Sequence, residues 1–149
     1  MHIQICSREK LEQLMEKKQL QNAAVISFHD ISEPSEDWIS LQCNEQIKMF
    51  FRIAADDIDA DELEECGLSY DTYFAEADEL VQFIYEARES GCEIICQCDH
   101  GQGRSAGCAA AILEHFDKNG ISVFRDYNYY PNKLVFNKLY ETLEKGGRD

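Results

Sequence analysis

Positive charge is scarce in this sequence. Against 29 aspartates and glutamates stand only 14 lysines and arginines, giving a formal net charge of −15 over 149 residues. Nucleic-acid binding needs a basic footprint, and so does attraction to an anionic membrane surface, so neither partner is expected. Long hydrophobic runs are missing too: no stretch approaches the ~18 apolar residues of a membrane span. The opening MHIQICSREKLEQLMEKK passes from a short apolar stretch into charge, without the apolar core or cleavage site of a secretory leader. Proline is rare, just Pro34 and Pro131, and there is no repeat or low-complexity linker. Residues 1–149 are therefore expected to form one domain with its own core. Cysteine is not scarce, but seven is an odd number, and Cys6, Cys43, Cys66, Cys92, Cys96, Cys98 and Cys108 follow no disulfide-framework spacing. Free thiols in a reducing, cytoplasmic setting are the expectation.

What is present alternates between strand and helix. MHIQIC reads as a strand, followed by a helix from about Ser7, a good N-cap, through Lys18. AAVISF is a short continuous apolar run, the pattern of a strand buried on both faces. HDISEPSEDW follows as a loop, then IKMFFRIA as a third strand and AADDIDADELEECGLS as an acidic loop. Residues 69–90 carry Phe74, Ala77, Leu80, Val81, Ile84 and Ala87 at helical spacing, with Gly91 as the stop. CEIICQ is a fourth strand, and GRSAGCAAAILEHF a small-residued helix ended by Asn119-Gly120. PNKLVFNKLYETLEK closes the chain as a helix with Pro131 near its first position. This order implies an α/β domain with a mostly parallel central sheet flanked by helices. Such sheets bind ligands beyond the carboxyl ends of their strands.

The richest stretch lies at such an end: CQCDHGQGRSAG, residues 96–107, between a strand and a helix. Gly101 and Gly103 are expected to take positive φ and let the loop curl, turning successive N–H groups inward as an anion nest. The helix N-terminus adds its dipole at the same point, and Arg104 a planar fork suited to two phosphoryl oxygens. Asp99, His100, Gly101, Gln102, Gly103 and Arg104 are thus the candidate substrate-binding residues. Cys98, ringed by N–H groups and a guanidinium, is in surroundings that favour the thiolate, a nucleophile for phosphorus held in the cradle. Ser105 can donate to the sulfur and ease its later departure. An ATP-binding loop would end in Gly-Lys-Ser/Thr, which this one does not.

The spacing C-x-x-G-x-G-R-S on a strand, loop and helix resembles the signature of the cysteine-dependent protein tyrosine phosphatases, including their dual-specificity branch. The aromatic-bearing helix before the catalytic strand, YFAEADELVQFIYEARESGCEIICQC, fits the same resemblance, which covers roughly residues 47–118. It implies a phosphotyrosine-phosphatase-like fold and hydrolysis of phosphomonoesters through a phosphocysteine, with Cys98 as nucleophile, Arg104 as clamp and no metal or cofactor. It also implies an aspartate acid on the loop after an earlier strand. FRIAADDI favours Asp57 over Asp56, Asp59 and Asp61. Two positions depart from the pattern: Gln97 stands where a histidine commonly precedes the nucleophile, and Asp99 sets a carboxylate beside it.

The expected substrate is a phosphotyrosine protein or a small phosphomonoester. The acidic surface suits basic or neutral phosphopeptides, and the absence of lysine at Asp99, His100 and Gln102 disfavours an inositol phosphate. The main alternative is a phosphate- or phosphoprotein-binding module without turnover. Metal or redox chemistry at Cys92, Cys96, Cys98 and His100, or sulfur transfer, fits the spacing less well. Whether FHDISEPSEDW and its Trp38 reach the site is a question for the structure.

Overall fold

Short apolar strands need cover on both faces, and the computed structural model, which describes residues 2–146, supplies it with helices. Strands β1 (Ile3–Cys6), β2 (Ala23–His29), β3 (Ile47–Ala54) and β4 (Glu93–Gln97) form one parallel sheet in the order β1-β4-β2-β3. The central strand β4 pairs Cys96 with Ile5 on one side and Ile26 on the other. Neighbouring residues of a strand face opposite ways, so each sheet residue belongs to one of two cores. Val25 and Ile95 pack with Leu11 and Leu14 of α1 (Arg8–Glu16). Ile26, Ile94 and Cys96 pack beneath α2 (Ala77–Glu89), α3 (Arg104–Asp117) and α5 (Lys133–Lys145), with Leu80, Ile84, Ile112 and Leu139 as their inward side chains. A short α4 (Ile121–Phe124), which no sequence pattern announced, joins α3 to α5.

The strands fall where the sequence pattern puts them, and so does the Ser7 cap, whose hydroxyl accepts from the Lys10 N–H at 3.0 Å. The helix ends differ. α1 stops at Glu16, and Lys18 turns left-handed. Residues 70–76 are turns, so α2 begins at Ala77. The reason is tertiary: the Lys138 ammonium on α5 takes the carbonyls of Tyr70, Asp71 and Tyr73. Phe74, in a left-handed conformation, drops into the core. α3 ends at Lys118, itself left-handed, while Asn119 and Gly120 lead into α4. Pro131 lies outside α5, because Asn132 is its cap and accepts from the Val135 N–H.

Because all four strands run the same way, their carboxyl ends converge. Ser7, Asp30, the segment after Ala54 and the loop after Gln97 therefore meet at one edge of the sheet.

Replacing Lys138 with Met keeps the apolar stem and removes the charge that gathers three carbonyls. The Lys138→Met variant is expected to lose about 2 kcal/mol of stability, read as a lower midpoint of urea unfolding. An unchanged midpoint would show that packing of Tyr73 and Phe74 alone holds the segment.

Candidate active site

β4 carries the chain into the loop. Cys98 follows directly, 2% exposed, its N–H still bonded to the Cys6 carbonyl. From there the loop is held by its carbonyls. Asp99 accepts from the Arg8 N–H at 3.2 Å, Gln102 from Tyr130 at 2.8 Å and Gly103 from Asn132 at 3.0 Å. Among the described residues, the backbone N–H groups of residues 99–106 find no protein acceptor. Eight successive free donors directly after Cys98 are what an anion nest of the kind the glycines suggest would use.

The two loop glycines serve different ends. Gly101 does take positive φ, at +67°, and a Cβ there would lie 2.4 Å from the Ser7 nitrogen. The loop rests directly on the β1–α1 junction. Gly103 does not take positive φ: its φ is −109°, which corrects the expectation from sequence. What it supplies is room, since a Cβ there would lie 2.5 Å from the Asp57 Oδ2.

The side chains gather accordingly. Ser105, fully buried, sets its hydroxyl 3.1 Å from the Cys98 sulfur. Arg104 is buried, and its Nη1 donates to Asp30 Oδ1 at 2.8 Å and to the Ala55 carbonyl at 3.0 Å. Its Nε is buried with no partner. The Nε–Nη2 edge thus keeps two parallel donors for an anion. The side chains of His100 and Gln102 are exposed, so their part in the nest comes from the backbone.

The four aspartates of the acidic loop separate cleanly. Asp57 lies against Gly103, its Oδ1 held by the Asn132 amide at 2.7 Å. Asp56 turns away and accepts from the Ile31 N–H, while its carbonyl accepts from the buried Tyr73 hydroxyl. That phenol is pushed above its ordinary range, chiefly by burial and then by the Asp57 charge. Asp59 is occupied in a reciprocal cap with Glu62 at a short turn, and Asp61 is exposed in that same turn.

Two residues escape a reading of the sequence. Asp30 is the Arg104 partner, and its signal is only its position just past the carboxyl end of β2. Asn132 binds the whole arrangement together: its N–H holds Gly103, its amide holds Asp57 and the Ile58 carbonyl, and its side-chain oxygen caps α5. A Cβ at Gly107 would lie 2.5 Å from the Asn132 carbonyl, so the small face of α3 is what lets α5 approach. The signal for Asn132 is an N-cap residue ahead of an apolar periodic run.

Segment 29–38 does reach the site, through Asp30. Trp38 stacks on His29 with centroids 4.3 Å apart and donates to the Glu33 carbonyl. Gln97, where a histidine is common, points to Ser27 of β2 and accepts its hydroxyl at 2.5 Å. The cysteine–histidine set does not converge: Cys92 lies at the far end of β4, near Asn22. Cys96 faces Cys108, with sulfurs 3.7 Å apart, and that bond together with burial holds its thiol well above the ordinary range.

No family model and no curated protein matches the sequence. Solved structures do match in fold. PTPMT1 superposes with a TM-score of 0.55 at 15% identity, covering 97% of this chain and 90% of its own. Human DUSP28 gives 0.57 at 16% identity, covering 96% and 92%. A human tyrosine phosphatase-like serine/threonine/tyrosine-interacting protein gives 0.55 at 15%, covering 94% and 86%. The chain has the fold of the tyrosine and dual-specificity phosphatases, as the loop motif implied.

A methyl group at position 101 meets the Ser7 backbone and forces a φ that alanine resists. Gly101→Ala is expected to lower affinity for orthovanadate by at least tenfold, roughly 1.4 kcal/mol, with the circular dichroism of the sheet and helices retained. Equal vanadate affinity would mean the nest does not depend on the seating of the loop.

Proposed function

We propose that this protein hydrolyses phosphomonoesters, phosphotyrosine in proteins foremost, through a phosphocysteine on Cys98. The observation that carries the reading is the run of unpartnered N–H groups of residues 99–106 directly after Cys98, together with the buried free Nε of Arg104. Donors preset toward a trigonal, oxygen-rich phosphoryl group stabilise charge that grows during transfer, without reorganisation at that moment.

In the first step the Cys98 thiolate attacks phosphorus, the bond from phosphorus to the ester oxygen breaks, and that oxygen leaves with the electron pair. Asp57 gives it a proton. The carboxyl suits this role because Asn132 fixes Oδ1 and leaves Oδ2 beside Gly103, at the rim of the nest. In the second step water attacks the phosphocysteine and Asp57, now a carboxylate, takes its proton. The sulfur departs as a thiolate, assisted by the Ser105 hydroxyl 3.1 Å away. Asp99, His100, Gly101, Gln102 and Gly103 bind the phosphoryl oxygens through their N–H groups, and Arg104 through its free edge once the phosphate competes with Asp30. No step calls for a metal or cofactor. The loop's lack of lysine argues for a singly phosphorylated group over a polyanionic inositol phosphate. The free thiols suit the reducing cytoplasm, and the one sheet with its helices suits a single catalytic domain.

Hydrolysis of p-nitrophenyl phosphate in the presence of EDTA tests the reading, with wild type, Cys98→Ser and Asp57→Asn across pH 5–8. Turnover by wild type and none by Cys98→Ser is the expected result. Asp57→Asn is expected to flatten the basic limb of the profile and to cost on the order of 10²-fold with a phosphotyrosyl peptide. The cost with p-nitrophenyl phosphate is smaller, because that leaving group needs less help from a proton. Vanadate binding without turnover by wild type would support a phosphate-binding module instead.

A further inference from the structure

Asp57 stands at the apex of a tight turn, in which the Ile58 N–H bonds back to the Asp56 carbonyl at 3.1 Å. Both carbonyls beside it are tied down from outside the loop. The Ile58 carbonyl takes the Asn132 side-chain amide at 3.1 Å, and the Asp56 carbonyl takes the Tyr73 hydroxyl at 2.7 Å. The Asp56 side chain is held in turn by the Ile31 N–H, and the Ala55 carbonyl by Arg104. An exposed carboxyl is free to sample several positions, but this one hangs from a backbone that is bonded on either side.

Asn132 and Arg104 also serve the phosphate nest, whereas the Tyr73 hydroxyl has no other partner among the described residues. Tyr73 is 1% exposed and packs in the core, so it meets no substrate. Its backbone carbonyl takes the Lys138 ammonium, which refers it to α5, the helix that Asn132 caps. Burial and then the Asp57 charge raise the phenol above its ordinary range, so the hydroxyl stays protonated and donates throughout pH 5–8. Resting on the phosphatase reading with Asp57 as its acid, we propose that Tyr73 is a positioning residue. Its buried hydroxyl fixes the peptide that carries Asp57 and so aims the carboxyl at the leaving oxygen. A proton donor displaced by about 1 Å loses on the order of 10²-fold in rate. With Tyr73 gone, the Asn132 bonds and the turn's own bond remain, so the loss is partial.

Tyr73→Phe removes one oxygen and keeps the ring. Rates across pH 5–8 are measured with a phosphotyrosyl peptide and with p-nitrophenyl phosphate, for wild type, Tyr73→Phe, Asp57→Asn and the double variant, with orthovanadate affinity alongside. Tyr73→Phe is expected to lower kcat about tenfold on the peptide and much less on p-nitrophenyl phosphate, with vanadate Kd within about twofold of wild type. It should flatten the basic limb of the profile as Asp57→Asn does. In the Asp57→Asn background it should cost nothing further, because the group it positions is gone. Tyr85→Phe removes a buried hydroxyl that pairs with His115 at 3.0 Å, between α2 and the far end of α3. It is the structural control and should leave kcat and the pH profile unchanged. Equal losses on both substrates, the same loss again in the Asp57→Asn background, or an unchanged kcat on the peptide would each overturn the proposal and leave the phosphatase reading standing. If wild type turns over neither substrate, that reading fails, and the positioning is judged by hydrogen exchange of the Ile58 amide. Exchange faster in Tyr73→Phe than in wild type and Tyr85→Phe supports it, and exchange no faster than in Tyr85→Phe overturns it.

Discussion

The outward turn of three carbonyls organises this molecule. Asp99, Gln102 and Gly103 give their oxygens to N–H groups of Arg8, Tyr130 and Asn132, which come from two distant parts of the chain. A peptide unit whose C=O points out must point a neighbouring N–H in, so bonding the rim of the loop to the fold creates the donors at its centre. The Arg104 Nε is different, since it is buried without a partner, and such a group costs about as much as a lost hydrogen bond until an anion takes it.

The supports come from both sides of the sheet. The β1–α1 junction seats Gly101, and the start of α5 holds Gly103 and Asp57 through the single residue Asn132. That residue couples the nest to its proposed acid, so motion of α5 would move both together. α3 can pass close to this point because Gly107 and the alanines after it present almost no side chain. Asp30, from the end of β2, closes the circle by holding Arg104 in the absence of an anion. Parallel strands bring these elements to one edge, and the geometry of the sheet rather than any local motif makes them neighbours.

The acidity of the chain has a local and a global aspect. Globally, a net charge of −15 gives the surface a long-range negative field that salt screens. Locally, carboxylate oxygens of Asp30, Glu33 and Asp99 lie within 4.8 Å of one another, and Asp30 pairs with Arg104.

Much of this was legible in the order of residues. Apolar runs such as AAVISF and EIICQ are strands because only a sheet covered on both faces uses them, and the strand–glycine loop–helix succession around Cys98 marks a candidate anion site by local chemistry alone. The pairing of Cys98 with Ser105 follows from spacing on a tight turn and a helix start, so it too is a local property. Helix ends were less legible, because Lys138 takes the carbonyls of residues 70, 71 and 73 across 65 or more positions of chain. The placing of Asp57 against Gly103, the partnership of Arg104 with Asp30 and the central place of Asn132 were decided by tertiary structure. The last two join residues about 75 positions apart, and no period, motif or charge run in a sequence records which distant groups a parallel sheet will carry to the same edge.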